Sequence, residues 1–177
     1  MERSLTVIRM LASWLFAMFL LPAAAHAEPT LIAQQSVEVQ ASPKAVWSMV
    51  RNFGGLHRWH PGFKDDVIKS GRNNSKGAVR TLTLATGESF DEQLLAFDDK
   101  KKLFKYKIVG DSPLPVTNYF STMYVTKAKG GGAKVIWQGT FDNKPGSGKT
   151  DAEVVEMLNG AYKAGLDNLK TLTEKKR

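Results

Sequence analysis

The chain has 177 residues, no cysteine and a formal charge of +8 at neutral pH. Without cysteine there is no disulfide framework, no thiolate metal site and no acylated lipoprotein N-terminus. The positive balance suits encounters with acidic proteins, anionic headgroups or nucleic acid. No nucleic-acid motif accompanies it, so nucleic acid is not expected as a partner.

The N-terminus carries the parts of a secretory signal in order. Arg3 and Arg9 form a positive region, Leu11–Leu21 an apolar run, and Pro22 interrupts it before Ala25-His26-Ala27. Cleavage is predicted between Ala27 and Glu28, in a small-x-small site that a signal peptidase accommodates. The apolar run falls short of the roughly 18 residues a membrane span needs, so no stable anchor is expected. Arg3 and Arg9 are not adjacent, which points to export of the unfolded chain into a bacterial periplasm. Residues 1–27 are thus read as the signal peptide and residues 28–177 as the working domain. The signal holds a net +1 (Arg3 and Arg9 against Glu2), which leaves +7 on a mature chain of 150 residues. That length is one domain and buries a core without staples.

From Leu31 to Gln40 the pattern is strand-like, with Val37 and Val39 alternating against Glu38 and Gln40. Ser42-Pro43 opens a short helix, with serine as cap and proline in the first turn. Val46, Trp47 and Val50 form its apolar face, and Gly54-Gly55 is predicted to end it. The loop Leu56-His57-Arg58-Trp59-His60-Pro61-Gly62 follows. Six further strands are predicted, at Asp66–Ser70, Ala78–Ala85, Glu88–Phe97, Leu103–Val109, Val116–Lys127 and Lys134–Asp142, joined by short turns. In Leu103–Val109, Phe104, Tyr106 and Ile108 share one face while Lys105 and Lys107 share the other. Val135, Trp137 and Phe141 line one face of the last strand. Thr150 with Glu153 forms a capping box that starts a long final helix. Val154, Val155, Leu158, Tyr162, Leu166 and Leu169 recur there at helical spacing. Gly160 and Gly165 are expected to allow close approach to the sheet. The expected fold class is α+β: a curved antiparallel sheet of about seven strands wrapped around the C-terminal helix.

This order resembles the helix-grip, or START-like (SRPBCC), superfamily over essentially the whole mature chain. Ser42-Pro43-Lys44-Ala45-Val46-Trp47, Phe53-Gly54-Gly55-Leu56 and Trp59-His60-Pro61 resemble its polyketide cyclase/dehydrase-like branch. So do Asp111–Val116 before Asn118-Tyr119, and Ala164–Leu169 in the final helix. With the export signal, the narrower resemblance is to the periplasmic MxaD-type family of methylotrophic bacteria. That resemblance implies a non-enzymatic accessory of methanol oxidation, working beside methanol dehydrogenase and the acidic cytochrome c that takes its electrons. A carrier of a small hydrophobic ligand and a cyclase- or dehydrase-like enzyme are the alternatives.

The residues themselves leave several roles open. Gly146-Ser147-Gly148-Lys149-Thr150 imitates the end of a phosphate-binding loop, but Asn143 stands where that loop needs its first glycine. It reads as a turn and helix cap. His57 and His60 lack further ligands for zinc, so no metal site and no cofactor are expected. His60 is read as holding its loop by a hydrogen bond, or, with Trp59, as touching a ligand at a cavity mouth. Asp91 and Glu92 point to opposite faces of a strand and cannot act as a catalytic pair. Glu92 shares its face with Phe90 and Leu94, which aims it either into a cavity or at water on an edge. Tyr106, Tyr119 and Trp137 are candidates to line that cavity or to fill the core. Lys100, Lys101, Lys102, Lys105 and Lys107 sit on one hairpin, as a solvated face or as a docking patch for an acidic protein. No nucleophile with a base and an orienting acid can be assembled, so no catalytic residue is assigned.

Overall fold

The computed structural model describes residues 28–175. The predicted signal peptide, with Ala27 at its cleavage site, lies outside the described residues. Seven strands form one antiparallel sheet: β1 (Leu31–Val39), β2 (Phe63–Ser70), β3 (Val79–Leu84), β4 (Ser89–Asp98), β5 (Leu103–Val109), β6 (Val116–Lys127) and β7 (Ala133–Asn143). Their spatial order is β1-β7-β6-β5-β4-β3-β2, so the strands at either edge are joined by the helical segment between them. That segment contains α1 (Pro43–Val50) and a 3-10 stretch, Phe53–Arg58. The long helix α2 (Asp151–Glu174) lies against the sheet, chiefly along β1. This is the expected α+β helix-grip arrangement, with the core between sheet and helices.

The local signals act as anticipated at most boundaries. The Ser42 side chain accepts from the Ala45 amide, and Pro43 occupies the first helical turn. At α2 the Thr150 hydroxyl accepts from the Glu153 amide while the Glu153 carboxylate accepts from the Thr150 amide at 2.7 Å. The Gly146–Thr150 phrase is therefore a turn that delivers a cap. Several strand ends shift by one residue, and two boundaries differ by more. The first helix stops at Val50, because Asn52 turns extended and the chain re-coils from Phe53 into a 3-10 stretch through Gly54-Gly55. Strand β2 begins three residues earlier than predicted, at Phe63, and pairs with Leu84 before a register shift.

Strand alternation sorts the side chains. Along β5, Phe104 and Tyr106 are buried while Lys105 is exposed and Lys107 half-exposed. Along β7, Val135, Trp137 and Phe141 face the core, as do Val154, Leu158, Tyr162, Leu166 and Leu169 of α2. Trp47 anchors α1 by packing on Phe97 and Phe104 and donating from its indole nitrogen to Asp99 at 2.6 Å.

Of the two glycines inside α2, only Gly165 serves close packing, and its neighbour is the His60 ring rather than the sheet. A Cβ there would overlap the imidazole, whereas Gly160 faces open space. Thr150→Ala should cost about 1 kcal/mol by removing the cap from the helix that covers the sheet. Urea unfolding of the two proteins would check this, and an unchanged midpoint would mean that the cap contributes nothing.

Candidate ligand cavity

A cavity of about 140 Å³ lies between the sheet and α2. Its inner wall includes Phe90, Glu92, Tyr106, Tyr119, Trp137 and Tyr162. Half-buried Phe63, Leu84, Leu114 and Met157 form its outer part, so the lining is overwhelmingly apolar. Five of the six ligand candidates from the sequence thus converge here: His60, Glu92, Tyr106, Tyr119 and Trp137. Trp59 does not reach the lining. It is buried behind Trp137, with ring centroids 5.7 Å apart, because the 3-10 stretch turns it away from the opening.

Much of this aromatic set also packs as core. Trp137 stacks on Tyr162 at 4.5 Å with an interplanar angle of 14°. Its indole N–H is shared between the Tyr106 hydroxyl at 2.8 Å and Ser121 Oγ at 3.0 Å. The Tyr119 and Tyr162 hydroxyls hydrogen-bond each other at 2.6 Å. Burial holds the hydroxyls of Tyr106, Tyr119 and Tyr162 well above the ordinary phenol range, so all three stay protonated. Gly139 on β7 makes room for this pair, since a Cβ there would collide with the Tyr162 hydroxyl.

His60 ties the loop before β2 to α2. Its Nδ1 accepts from the Gly62 amide at 3.0 Å, and Nε2 lies 3.0 Å from the Ala161 carbonyl. Accepting at one nitrogen and donating at the other requires the neutral ring protonated on Nε2. Burial lowers its pKa to about 4, helped by the nearby Arg80 charge and opposed by the Ala161 carbonyl and the His60 backbone. The same loop is fixed by Asn168, whose amide donates to the Trp59 carbonyl at 2.9 Å.

Behind the cavity lies a buried ionic cluster that sequence reasoning did not identify. Arg80 on β3 stands directly across from Glu92 on β4. Its Nε and Nη2 donate to Glu92 Oε2 at 2.9 and 2.6 Å, and its Nη1 lies 3.3 Å from Asp66 Oδ2 on β2. Nη1 also donates to the Phe53 carbonyl, and Asp66 accepts from the Leu56 amide at 2.8 Å. The guanidinium lies over the rings of Phe53 and Tyr106, 4.2 and 5.3 Å from their centroids. Burial opposes the charge on Arg80, but Glu92 and Asp66 more than offset it and its pKa rises. Burial pushes both carboxyls upward, with Arg80 pulling the other way. Glu92 therefore turns inward, as one of its two readings had it, and there it is the ion-pair partner of Arg80. The missed signal was Arg80 itself, two residues from Ala78 and two from Leu82, on the inward face of a strand.

The lysine hairpin is displayed outward. Lys100 and Lys101 sit exposed in the β4–β5 turn, where Asp98 accepts from the Lys101 amide at 2.9 Å. Lys102 adopts a left-handed backbone there, and Lys105 and Lys107 lie on the outer face of the sheet. His57 is half-buried in the 3-10 stretch, and no cluster of three or more metal-ligating side chains occurs among the described residues.

A sheet gripping a long helix over an apolar cavity with a polar inner wall defines a helix-grip binding fold. Residues 30–174 match the family described as polyketide cyclase / dehydrase and lipid transport, and the chain belongs to that family. Among solved structures it is similar to the protein XoxI from Bacillus cereus, at 30% identity and a TM-score of 0.73. That match covers 81% of this chain and 96% of that one. A Bacillus thuringiensis protein is also 30% identical, with a TM-score of 0.72 and coverage of 81% and 98%. A Nitrosospira multiformis protein follows at 27% identity, with a TM-score of 0.69 and coverage of 83% and 100%.

Two outcomes test the site's framework. Arg80→Met should cost about 3–5 kcal/mol by leaving two buried carboxylates without their cation, and adding Asp66→Asn and Glu92→Gln should recover most of it. Equal urea midpoints for wild type and Arg80→Met would refute that role. Between pH 6.5 and about 4 the unfolded chain binds a proton at His60 that the folded chain refuses, so stability rises with pH across this window. The full difference is on the order of 3 kcal/mol, present above pH 6.5 and lost as pH falls through about 4. His60→Gln should flatten the part of the stability–pH curve that wild type shows there, and an unchanged slope would assign it to other groups.

Proposed function

We propose that this chain is a non-enzymatic periplasmic accessory protein of methanol oxidation, assisting electron transfer between methanol dehydrogenase and an acidic cytochrome c. The observation that carries this reading is the outer face of the sheet, which combines uncovered apolar surface with positive charge. Phe120 is 38% exposed on β6 and stands directly opposite Lys107 on β5. Beside them, Leu95, Leu103, Lys105 and Tyr124 border a groove of about 530 Å³. Aromatic and aliphatic anchors within a cationic rim have the composition of a surface that docks an acidic protein. The net +7 of the mature chain adds long-range steering toward such a partner. The phrases shared with the MxaD-type family, together with the export signal, support the compartment and the pathway. The non-enzymatic reading is supported by the bonding of the interior: Arg80 holds Glu92 Oε2, backbone groups engage both ring nitrogens of His60, and burial keeps three tyrosines protonated.

The cavity favours a second reading, a carrier for a small hydrophobic ligand. Its apolar lining suits a small apolar molecule. The two readings are compatible, since one uses the outer face of the sheet and the other its inner face.

For the first reading, the mature chain should bind methanol dehydrogenase or its cytochrome c at low ionic strength. The affinity should fall at least about tenfold between 20 and 200 mM salt, as expected for steering by exposed charges. Lys105→Glu with Lys107→Glu should abolish binding while leaving the thermal unfolding midpoint unchanged. No binding to either protein at low salt, measured by calorimetry, would sink the proposal.

A further inference from the structure

The two hydrogen bonds from Arg80 to Glu92 both fall on a single oxygen. Nε and Nη2 converge on Oε2, whereas a side-by-side arginine–carboxylate pair would occupy both oxygens. Glu92 Oε1 accepts no hydrogen bond from any of the described residues, yet it is not among the polar atoms sealed off without a partner. Glu92 is 4% exposed overall and lines the cavity, so the cavity is the space left to that oxygen. A buried carboxylate oxygen at the end of an apolar chamber is a strong acceptor waiting for one donor.

We propose that the cavity takes a small, uncharged hydroxyl compound of single-ring size, such as a phenol, whose O–H donates to Glu92 Oε1. This inference rests on the carrier reading and names the chemistry of its ligand. The size follows from the volume: about 140 Å³ is close to the roughly 150 Å³ of an apolar cavity that accepts benzene. The body of such a ligand would meet Phe63, Leu84, Phe90, Leu114 and Leu158. Its polar end would lie at Glu92, near Tyr106 and the Tyr119–Tyr162 pair.

Charge selects against carboxylates. The cluster holds two carboxylates against one guanidinium, and every nitrogen of Arg80 is already engaged by Glu92, Asp66 or the Phe53 carbonyl. An anionic ligand would find no cation in the lining and would face the Glu92 charge directly. An ammonium ligand fits no better, because it brings three donors to one open acceptor and leaves two unsatisfied in an apolar chamber. A hydrocarbon of the right shape fills the space but leaves Oε1 without a donor and displaces whatever water satisfied it. One hydroxyl matches one oxygen.

Calorimetric titration of the mature protein with phenol, benzene and benzoate at pH 7 tests this directly. Phenol should bind, benzene at least about tenfold more weakly, and benzoate not measurably, in line with the worth of a hydrogen bond to a charged group. Glu92→Gln should narrow the phenol-to-benzene ratio and admit benzoate. If that variant does not fold, the three-ligand comparison on the wild type still decides. Equal affinities for phenol and benzene, or tighter binding of benzoate, would overturn the role of Glu92 and leave the carrier reading standing. If none of the three binds at millimolar concentration, the carrier reading and this inference fall together.

Discussion

Arg80 is the group that ties together three strands and the 3-10 stretch behind the cavity. From β3 it reaches Glu92 on β4, Asp66 on β2 and the Phe53 carbonyl at the start of the 3-10 stretch, and it lies over two aromatic rings. The 3-10 stretch lies outside the sheet, and these bonds help to place it, with Asp66 accepting from the Leu56 amide and Asn74 from the Phe53 amide. A buried charge is costly unless its partners surround it, which makes the arrangement close to all-or-none. Either the four segments assemble together around the guanidinium, or two carboxylates and a cation are left in an apolar interior.

The cavity follows from that assembly. Once the 3-10 stretch is placed, His60 falls against α2, where Gly165 leaves room for its ring, and its two nitrogens bridge the loop and the helix. On the far wall Gly139 lets the Tyr162 hydroxyl approach the sheet and meet Tyr119. Gly165 lets the His60 loop close on the helix and Gly139 lets the helix close on the sheet, while the aromatic side chains around them keep an open volume between. The interior is thus neither a filled core nor a wide lipid tunnel. It is a chamber of one ring's volume with polar atoms confined to one wall.

The same strands present a different chemistry outward. Because side chains alternate along a strand, Tyr106 closes the cavity while its neighbours Lys105 and Lys107 charge the opposite surface beside Phe120. Inner and outer faces therefore carry separable properties. Substitutions on the outer face change what the protein meets without disturbing what it encloses.

Periodicity and capping made the fold legible from the sequence. Alternation in β5 and β7, the helical recurrence from Val154 to Leu169, and the Ser42 and Thr150 caps are local signals, and local geometry obeyed them. The cavity candidates His60, Glu92, Tyr106, Tyr119 and Trp137 were also readable, since a residue's face follows from its place in a strand or beside a recognised loop. What the sequence left undecided depends on contacts between distant segments. Nothing within ten residues of Arg80 indicates that its partners are Phe53, Asp66 and Glu92, because that pairing arises only when β2, β3 and β4 align in register. Trp59 and His60 are adjacent, yet one is sealed behind Trp137 and the other bridges to α2, a choice made by the turn of the 3-10 stretch. Gly160 and Gly165 are likewise indistinguishable as helical glycines until packing places an imidazole against one and solvent against the other. Sequence determines which face a side chain takes, and tertiary structure decides what it meets there, because long-range register brings the partners together.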